Sequence, residues 1–331
     1  MEGNSKDQDC PHIRFPEFSR RDHCGPTGTG PFKLAHQLRM LLAWVVLLPV
    51  LRVTVCALLV FLCYLGTRVA SVLPKHWRCP LAATWGMLCA RSVLFVLGFY
   101  HIRREYVGDH SKHDQQKHPR TPAPAIVSNH VSMWDILYHM SANYPSFVAN
   151  SNISNIPFVG TIATSMGCVF IQRDKGDAAA KGSSATGNSA KIQARCLDPH
   201  APPILIFSEG TTTNGTGLLN FKRSAFIAKM PVQPVVLQYP FRDFSPSWET
   251  ITAPVYLHLM MCQWVNHLKV LYLPVYVPSE AECEDAQLYA NNVRAAMAAA
   301  ADLKLSDLTL ADKRAYHALL RAGDKKMKKI E

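Results

Sequence analysis

Three polar clusters in the sequence combine residue types that could perform or assist group transfer. The first runs from Asn129 to Asp135 and places His130 and Asp135 five positions apart. On an ideal helix these two residues would lie about 140° apart, so they cannot pair if both are helical. If His130 lies in a turn and Asp135 in the first helical turn, the carboxylate can bind one imidazole nitrogen and leave the other free as a base. Taken alone, the spacing also fits a surface histidine and an acid at a helix start.

The other two clusters supply a cation, a carboxylate and hydroxyl groups. One ends at Arg173, whose guanidinium can bind a phosphate through two parallel hydrogen bonds, although a solvated arginine at a strand end is the alternative. The other follows Phe207 and contains Glu209, Gly210, Thr211 and Thr212. A glycine lets backbone amides approach an anion, and the hydroxyls add donors. A simple capped turn is the alternative interpretation.

Each cluster follows a short apolar run, and the pattern of these runs predicts the fold class. The strand candidates are residues 125–127, 147–149, 168–171, 204–207 and 232–239. The helix candidates are residues 156–166, 190–197, 224–230 and 287–305. Alternation of strands and helices predicts an α/β fold, in which ligands bind at the carboxyl ends of the strands.

The order and spacing of the clusters resemble those of a known family. N-H-x-S-x-x-D, G-x-x-F-I-x-R, F-x-E-G-T-T-T-N-G and V-x-P-V follow one another within about 110 residues. This arrangement resembles the four-block signature of the PlsC-like glycerophospholipid acyltransferases over residues 101–280. F-K-x-x-A-F, V-Q-P-V-V-L-Q-Y-P and L-P-V-Y-x-P-S-E are similar to the lysophosphatidylcholine and lysophosphatidylethanolamine acyltransferases. Ser208 is a departure, because it stands where the family usually has proline.

The resemblance implies a PlsC-like acyltransferase domain, with a mixed sheet flanked by helices and preceded by hydrophobic membrane helices. It implies transfer of an acyl chain from acyl-CoA to the free sn-2 hydroxyl of a lysophospholipid such as lysophosphatidylcholine or lysophosphatidylethanolamine. Acyl-CoA would be a co-substrate, and the reaction would need no cofactor. His130 would be the general base and Asp135 its orienting partner. The residues that would bind the acceptor or its phosphate are Arg173, Glu209, Gly210, Thr211 and Thr212.

Other activities remain open at this point. The same resemblance fits acylation of lysophosphatidic acid or acetyl transfer to a lyso-ether lipid, because headgroup choice depends on pocket shape. A membrane-binding protein of this fold without activity would be expected to lose motif residues, and the motif residues are present. A nucleophilic Ser132 is disfavoured because no G-x-S-x-G surrounds it. We expect no metal, because the sequence has no H-E-x-x-H despite its 14 histidines.

The amino-terminal part of the chain is apolar enough to enter a membrane. Charged residues make up 18% of the chain, below the average of about 25% for soluble domains. Residues 40–66 would form a helix of about 40 Å, longer than a bilayer core of about 30 Å. Pro49 and Arg52 interrupt this run, so a re-entrant hairpin that breaks there and a tilted single span are both possible. A second run, residues 81–100, is typical of an interfacial helix, and a buried core helix is the alternative.

Composition divides the chain into four regions. Residues 1–36 form a polar tail, 37–100 the membrane-embedded helices, 101–280 the acyltransferase domain and 281–331 a helical basic tail. With 35 Lys and Arg against 24 Asp and Glu, the chain has a net charge of +11. More than half of this excess comes from one stretch of the basic tail, residues 313–329, which has seven Lys and Arg against one acid, a net charge of +6. The stretch lacks a series of interleaved aromatic residues. It therefore indicates contact with anionic lipid headgroups of a bilayer and not with nucleic acid.

Three features suggest a cellular location. The final residues, Lys328-Lys329-Ile330-Glu331, resemble a dilysine retrieval signal of endoplasmic-reticulum membrane proteins. The ten cysteines are scattered without a C-x-x-C pair, which favours free thiols in a reducing compartment. Acyl-CoA is a cytosolic donor in the family. We therefore expect a protein of the endoplasmic reticulum membrane whose catalytic domain faces the cytosol.

Overall fold

A seven-stranded mixed β-sheet forms the centre of the protein. The structure, a computed structural model, describes residues 14–25, 30–108, 123–171 and 184–327. The sheet strands are β1 (Ile102–Tyr106), β2 (Ala125–Ser128), β3 (Ser146–Asn150), β4 (Val169–Ile171), β5 (Ile204–Phe207), β7 (Val232–Gln238) and β8 (Leu268–Tyr272). Their order is β1-β8-β7-β2-β5-β3-β4. The five strands in the spatial order β7-β2-β5-β3-β4 are all parallel to their neighbours. β8 pairs antiparallel with β7 and parallel with β1. A separate pair joins β6 (Gly217–Leu218) to β9 (Lys304–Leu305).

Helices cover both faces of the sheet, as an α/β protein requires. They are α1 (Leu34–Val45), α2 (Leu48–Ser71), α3 (Lys75–Val96), α4 (Asp135–Asn143), α5 (Val159–Ser165), α6 (Ser184–Leu197), α7 (Ala253–Cys262), α8 (Glu280–Glu284), α9 (Ala286–Ala301) and α10 (Leu310–Met327). Side chains alternate along β2, so Ala125 and Val127 join the core beneath α6 and α9. Ile126 joins the opposite core, beneath α3, α4 and α5. The expected mixed sheet flanked by helices is confirmed.

The five predicted strands are all present, but the helices differ more from the prediction. Predicted helix 156–166 is confined to α5, and predicted helix 190–197 begins earlier, at Ser184. The prediction of a helix over 224–230 is wrong, since only a short 3₁₀ turn forms at Arg223–Ala225. Lys229 has a φ of 55°, and Pro231 follows shortly after it, so a helix cannot continue there. The predicted helix 287–305 ends at Ala301, and its last residues form β9.

Helices α2 and α3 form an antiparallel pair at the amino-terminal side of the domain. They have 24 and 22 residues and are long and apolar enough to cross a membrane by length and composition. The Trp85 indole N–H donates to the Leu62 carbonyl at 2.9 Å across the pair. Many apolar side chains of α1, α2 and α3 are exposed, including Leu41, Leu51 and Trp77. Such a surface is typical of membrane contact.

The predicted break at Pro49–Arg52 is not observed. The chain turns earlier, at Leu47, and Pro49 lies in the first turn of α2, where its missing N–H has no partner to lose. Arg52 is 2% exposed and does not extend towards a headgroup. Its Nη1 donates to the carbonyl oxygens of Met261 at 2.9 Å and Gln263 at 2.5 Å, at the carboxyl end of α7. The guanidinium therefore joins α2 to the carboxyl end of α7.

We predict that Arg52→Met destabilises the protein. The substitution keeps a long apolar stem but leaves buried carbonyl oxygens at the carboxyl end of α7 without these donors, at about 1–3 kcal/mol for each unsatisfied group. The expected result is a melting temperature several degrees lower in detergent, measured by circular dichroism. The matched control is Arg68→Met, at an exposed position of the same helix. Equal melting temperatures for the two variants would contradict the prediction.

Candidate active site

The carboxyl ends of β2, β5 and β7 lie side by side at one edge of the sheet. Ser128 is in register with Phe207 of β5 and with Val235 of β7. His130 follows β2, Glu209 follows β5 and Tyr239 follows β7. The parallel pairing therefore brings three segments that are distant in sequence to a single site, as expected for an open α/β sheet.

His130 and Asp135 form a hydrogen-bonded pair at this edge. His130 lies in the turn after β2, and Asp135 is the first residue of α4. The His130 Nδ1 and Asp135 Oδ2 atoms are 2.8 Å apart. An ionised Asp135 requires the proton on Nδ1, so Nε2 carries the lone pair and can accept a proton. The turn-then-helix arrangement is the one that the spacing of the two residues required.

The Asp135 carboxylate is completely buried and is bound by several donors. Besides the imidazole, Oδ2 accepts hydrogen bonds from the N–H groups of Val131 at 2.7 Å and Ser132 at 2.9 Å. Oδ1 accepts a hydrogen bond from the Tyr239 hydroxyl at 2.5 Å. A carboxylate with this many donors holds a fixed position and stabilises a positive charge on the imidazole.

The His130 ring is also fixed from one face. It stacks on Phe207, with ring centroids 4.0 Å apart and planes 11° apart. The side chain is 20% exposed, in contrast to its fully buried partner. The imidazole is therefore held in one orientation while remaining open to a substrate, as a general base requires.

Glu209 faces inward and binds backbone groups. Its Oε1 accepts the His130 N–H at 2.9 Å, and its Oε2 accepts the Leu219 N–H at 3.0 Å. Burial raises the pKa of Glu209 to about 7, although these two N–H groups act in the opposite direction. The sequence suggested that Glu209 binds the substrate, but the structure uses both of its oxygens to join the turn after β5 to the backbone of His130.

Gly210 gives this turn its shape. It has a φ of 71°, in the left-handed region, which glycine adopts without strain. A Cβ atom at this position would lie 2.7 Å from the Lys222 Nζ atom. Gly210 therefore allows an ammonium group to lie against the turn, next to the residues that follow β5. The sequence motif F-K-x-x-A-F contains Lys222, but its spacing alone gave no sign of this position.

The threonines of the turn are held by distant parts of the chain. Thr211 is buried beside Thr212. The Thr212 hydroxyl donates to the Trp248 carbonyl at 2.6 Å and accepts from Lys313 Nζ at 2.7 Å. Lys313 also donates to the Thr212 carbonyl at 2.7 Å, and burial lowers the pKa of Lys313 to about 8. Thr212 is thus joined to α10 at the carboxyl-terminal end of the protein.

The amino-terminal segment binds the same turn. The Asn214 N–H donates to the Glu17 carbonyl at 2.8 Å, and the Asn214 side-chain amide donates to the carbonyls of Pro16 and Ser19 at 2.7 Å each. The Thr213 N–H donates to the His130 carbonyl at 2.9 Å. Both ends of the described chain therefore support the turn beside His130, through contacts that the sequence pattern does not reveal.

Of the remaining sequence candidates, Ser132 and Ser208 lie in the described part of the chain. The buried Ser132 hydroxyl hydrogen-bonds the Tyr256 hydroxyl at 2.9 Å, which agrees with its rejection as a nucleophile. The Ser208 hydroxyl, at the departure from the family pattern, is buried without a hydrogen-bond partner in the described part of the chain. Arg173 lies outside the described residues. Within the described ranges, no group of three His, Cys, Asp or Glu side chains is placed to hold a metal ion.

Comparisons with known proteins identify similar chains. A family profile described as Acyltransferase matches residues 110–238. Lysophospholipid acyltransferase LPEAT1 of Arabidopsis thaliana is 39% identical over 94% of this chain and 87% of its own length. Human lysophosphatidylcholine acyltransferase 1 is 32% identical over 87% of this chain and 54% of its own length. The crystal structure of the 1-acyl-sn-glycerophosphate (LPA) acyltransferase PlsC from Thermotoga maritima has a TM-score of 0.49 at 14% identity, covering 80% of this chain and 96% of that chain.

We predict that Glu209 makes stability depend on pH. Its carboxyl group has a pKa of about 7 when folded and about 4.3 in an unfolded chain. The folded protein therefore binds this proton more tightly, and the contribution of Glu209 to stability is lost as pH rises from about 4.5 to about 7. Buried His139, whose pKa is lowered to about 4, acts in the opposite direction as pH rises.

Because His139 also makes stability depend on pH, the quantity to measure is the difference in the free energy of unfolding between the wild type and Glu209→Gln. Urea unfolding in detergent at pH 5, 6, 7 and 8 gives the free energy of unfolding of both proteins. We expect the variant to be less stable at every pH, because its amide NH₂ must face one of the two N–H groups. We also expect this deficit to be largest at pH 5 and to shrink towards pH 8. A deficit that does not change with pH would contradict the prediction.

We predict that Lys313→Met loosens the turn after β5. The variant removes both hydrogen bonds to Thr212 while keeping a long side chain, at about 1–3 kcal/mol. Amide hydrogen exchange should therefore become about 5–150 times faster at Thr213 and Asn214 if local opening controls exchange. Arg321→Met, at an exposed position of the same helix, is the matched control and should leave exchange unchanged. Equal exchange in both variants would show that Lys313 does not support the turn.

Proposed function

The chain belongs to the PlsC-like lysophospholipid acyltransferase family, and on that premise we propose that it transfers an acyl chain from acyl-CoA to the free sn-2 hydroxyl of a lysophospholipid. The observation that carries the proposal is the pairing of His130 with the buried Asp135 carboxylate, 2.8 Å apart, at the carboxyl edge of the sheet. The names of the similar Arabidopsis and human enzymes support a lysophospholipid as the acceptor.

The proposed reaction needs one base. The Nε2 atom of His130 removes the proton from the acceptor hydroxyl as its oxygen attacks the thioester carbonyl carbon. The new C–O ester bond forms, the C–S bond breaks, and the sulfur leaves with the electron pair. The imidazolium, stabilised by Asp135, then gives its proton to the sulfur, so the products are an ester and free CoA. No acyl-enzyme is required, and the Ser132 hydroxyl is engaged with Tyr256.

The phosphates of acyl-CoA and of the acceptor need cations near this edge. Lys222 lies against the turn at Gly210 and is exposed, so it is one candidate. Arg173, which follows β4 in sequence, is the second, as the motif resemblance implies. Glu209 and Thr212 would support this surface from within, because their polar atoms bind other protein groups. In this proposal the two residues shape the substrate site without contacting the phosphate.

A membrane is the natural source of the acceptor. The exposed apolar side chains of α1 and α2 would contact the bilayer, in which a lysophospholipid resides. The carboxyl end of α3 leads through residues 97–101 into β1, at the edge of the sheet that carries His130. Location in the endoplasmic reticulum, with the site facing the cytosol, remains our proposal from the sequence. The Lys328-Lys329 signal lies outside the described residues.

We predict that His130→Ala abolishes most of the turnover. Detergent-purified protein is given oleoyl-CoA with lysophosphatidylcholine, lysophosphatidylethanolamine, lysophosphatidylserine or lysophosphatidic acid in turn, and free CoA is measured. General-base catalysis contributes about 10²–10⁴-fold, so we expect a loss of that size. His101→Ala, an exposed histidine before β1, is the matched control and should retain wild-type turnover.

The outcomes separate the candidate functions. CoA release that depends on one acceptor and on His130 supports the proposal and identifies the headgroup. Dependence on lysophosphatidic acid alone would assign the protein to acylation of that lipid, and activity with acetyl-CoA and a lyso-ether lipid would assign it to acetyl transfer. Near wild-type turnover in a folded His130→Ala protein would refute the role of the base. No release with any acceptor would favour a membrane-binding protein without catalytic activity.

A further inference from the structure

A large groove lies at the amino edge of the sheet, away from His130. Its volume is about 1630 Å³, above the range of about 300–1,000 Å³ typical of small-molecule sites. The turn between α2 and α3 forms one wall. The residues just before β3, β4 and β5 form the other, including Tyr144, Gly167 and Pro203. We call this feature the amino-edge groove.

The amino-edge groove is separate from the candidate active site. None of the residues that line it belongs to the His130, Asp135 or Glu209 cluster. β2 runs through its four residues from one edge of the sheet to the other, a distance of about 13 Å at about 3.3 Å per residue. The amino ends of the strands that border the groove therefore lie about this far from the reacting atoms.

The lining of the groove is strongly cationic. Arg68, Arg78 and Arg195 contribute to its walls, and no aspartate or glutamate of the described chain does. The nearest acid identified is Asp198, whose carboxylate oxygen lies 4.0 Å from the Arg195 Nη1 atom. Three guanidinium groups, one of which is paired with the Asp198 carboxylate, leave a net positive charge, which favours an anionic ligand.

Arg195 is held at the wall of the groove by a specific backbone arrangement. Its Nη2 atom lies 2.7 Å from the place where a Cβ atom of Gly167 would be, so only glycine permits this approach. Gly167 also has a φ of 71°, which favours glycine. The Arg195 side chain is 17% exposed, and its Nε–H is buried without a hydrogen-bond partner in the described ranges.

Apolar side chains lie beside the cationic ones. Val69 and Val72, next to Arg68, are 63% and 81% exposed, and Trp77, next to Arg78, is 57% exposed. They belong to the exposed apolar surface of α2 and α3. A ligand with a charged head and apolar tails could therefore place its head among the arginines and its tails along these helices.

We propose that the amino-edge groove binds the phosphate of an anionic membrane phospholipid. Arginine guanidinium groups match phosphate oxygens through paired hydrogen bonds, and the adjacent apolar surface would contact the acyl chains. The absence of acidic residues from the described lining disfavours a zwitterionic headgroup, whose cation would find no partner there. This inference does not depend on the proposed acyl transfer, since the groove lies at the other edge of the sheet.

The test measures quenching of tryptophan fluorescence by brominated lipids in detergent micelles, using the full chain. Dibrominated phosphatidic acid should quench at a lower mole fraction than dibrominated phosphatidylcholine, because Trp77 is exposed and adjoins Arg78, which lines the groove. The combined variant Arg68→Gln, Arg78→Gln, Arg195→Gln should weaken binding of phosphatidic acid at least tenfold. The matched control removes three exposed cations elsewhere, as Arg21→Gln, Lys191→Gln, Lys304→Gln, and should bind within twofold of the wild type.

Several outcomes would overturn the inference. Equal quenching by the two lipids would exclude recognition of an anionic headgroup, and equal binding by the two combined variants would exclude the groove. Displacement of the lipid by an equal concentration of inorganic phosphate would identify a phosphate-ion site instead. If the combined variant does not fold, the single variant Arg78→Gln replaces it in the test, because Arg78 is exposed. This variant should weaken binding of phosphatidic acid at least threefold. CoA release by the groove variants should match the wild type, which separates this test from that of His130.

Discussion

Burial of the Asp135 carboxylate is the constraint on which the site depends. A charge removed from water costs several kcal/mol unless donors surround it, so the chain must bring donors to this point. They come from the turn before α4, through the ring of His130 and the N–H groups of Val131 and Ser132, and from Tyr239 after β7. The arrangement that makes burial tolerable is the same one that orients the imidazole. The imidazole is therefore oriented by the folding of the β2–α4 turn itself.

The buried carboxylate of Glu209, which follows the neighbouring strand β5, is likewise bound by backbone donors. Glu209 uses its two oxygens to join the turn after β5 to the backbone of His130, while Lys313 and Asn214 tie that turn to the two ends of the described chain. Polar groups of Glu209, Thr212 and Asn214 in the E-G-T-T-T-N-G motif thus bind other protein groups beside the imidazole. A motif whose groups could bind a substrate can also supply the internal contacts that fix the shape of a site.

The sequence predicted the strands, the edge of the sheet at which the clusters meet and the pairing of His130 with Asp135, because these depend on local patterns. It did not predict the contacts set by strand order and by packing of the terminal segments. Tyr239 lies 104 positions from Asp135 and Lys313 lies 101 positions from Thr212. Arg52 looked like a misplaced charge in an apolar run because its carbonyl partners lie more than 200 positions away. Roles of this kind depend on tertiary neighbours, which spacing along the chain does not reveal.

The α2–α3 pair shares its core with the sheet. Cys63 of α2 and Leu94 of α3 pack in one cluster with Ile126, Leu205 and Val235 from three central strands. An anchor attached through a flexible linker can be removed without disturbing the domain that it tethers, but here the membrane-facing helices are also the layer that covers one face of the sheet. Deleting them to obtain a water-soluble enzyme would uncover that face and remove part of the fold. Solubility would have to come from redesign of the outer surface of these helices, with their inner surface retained.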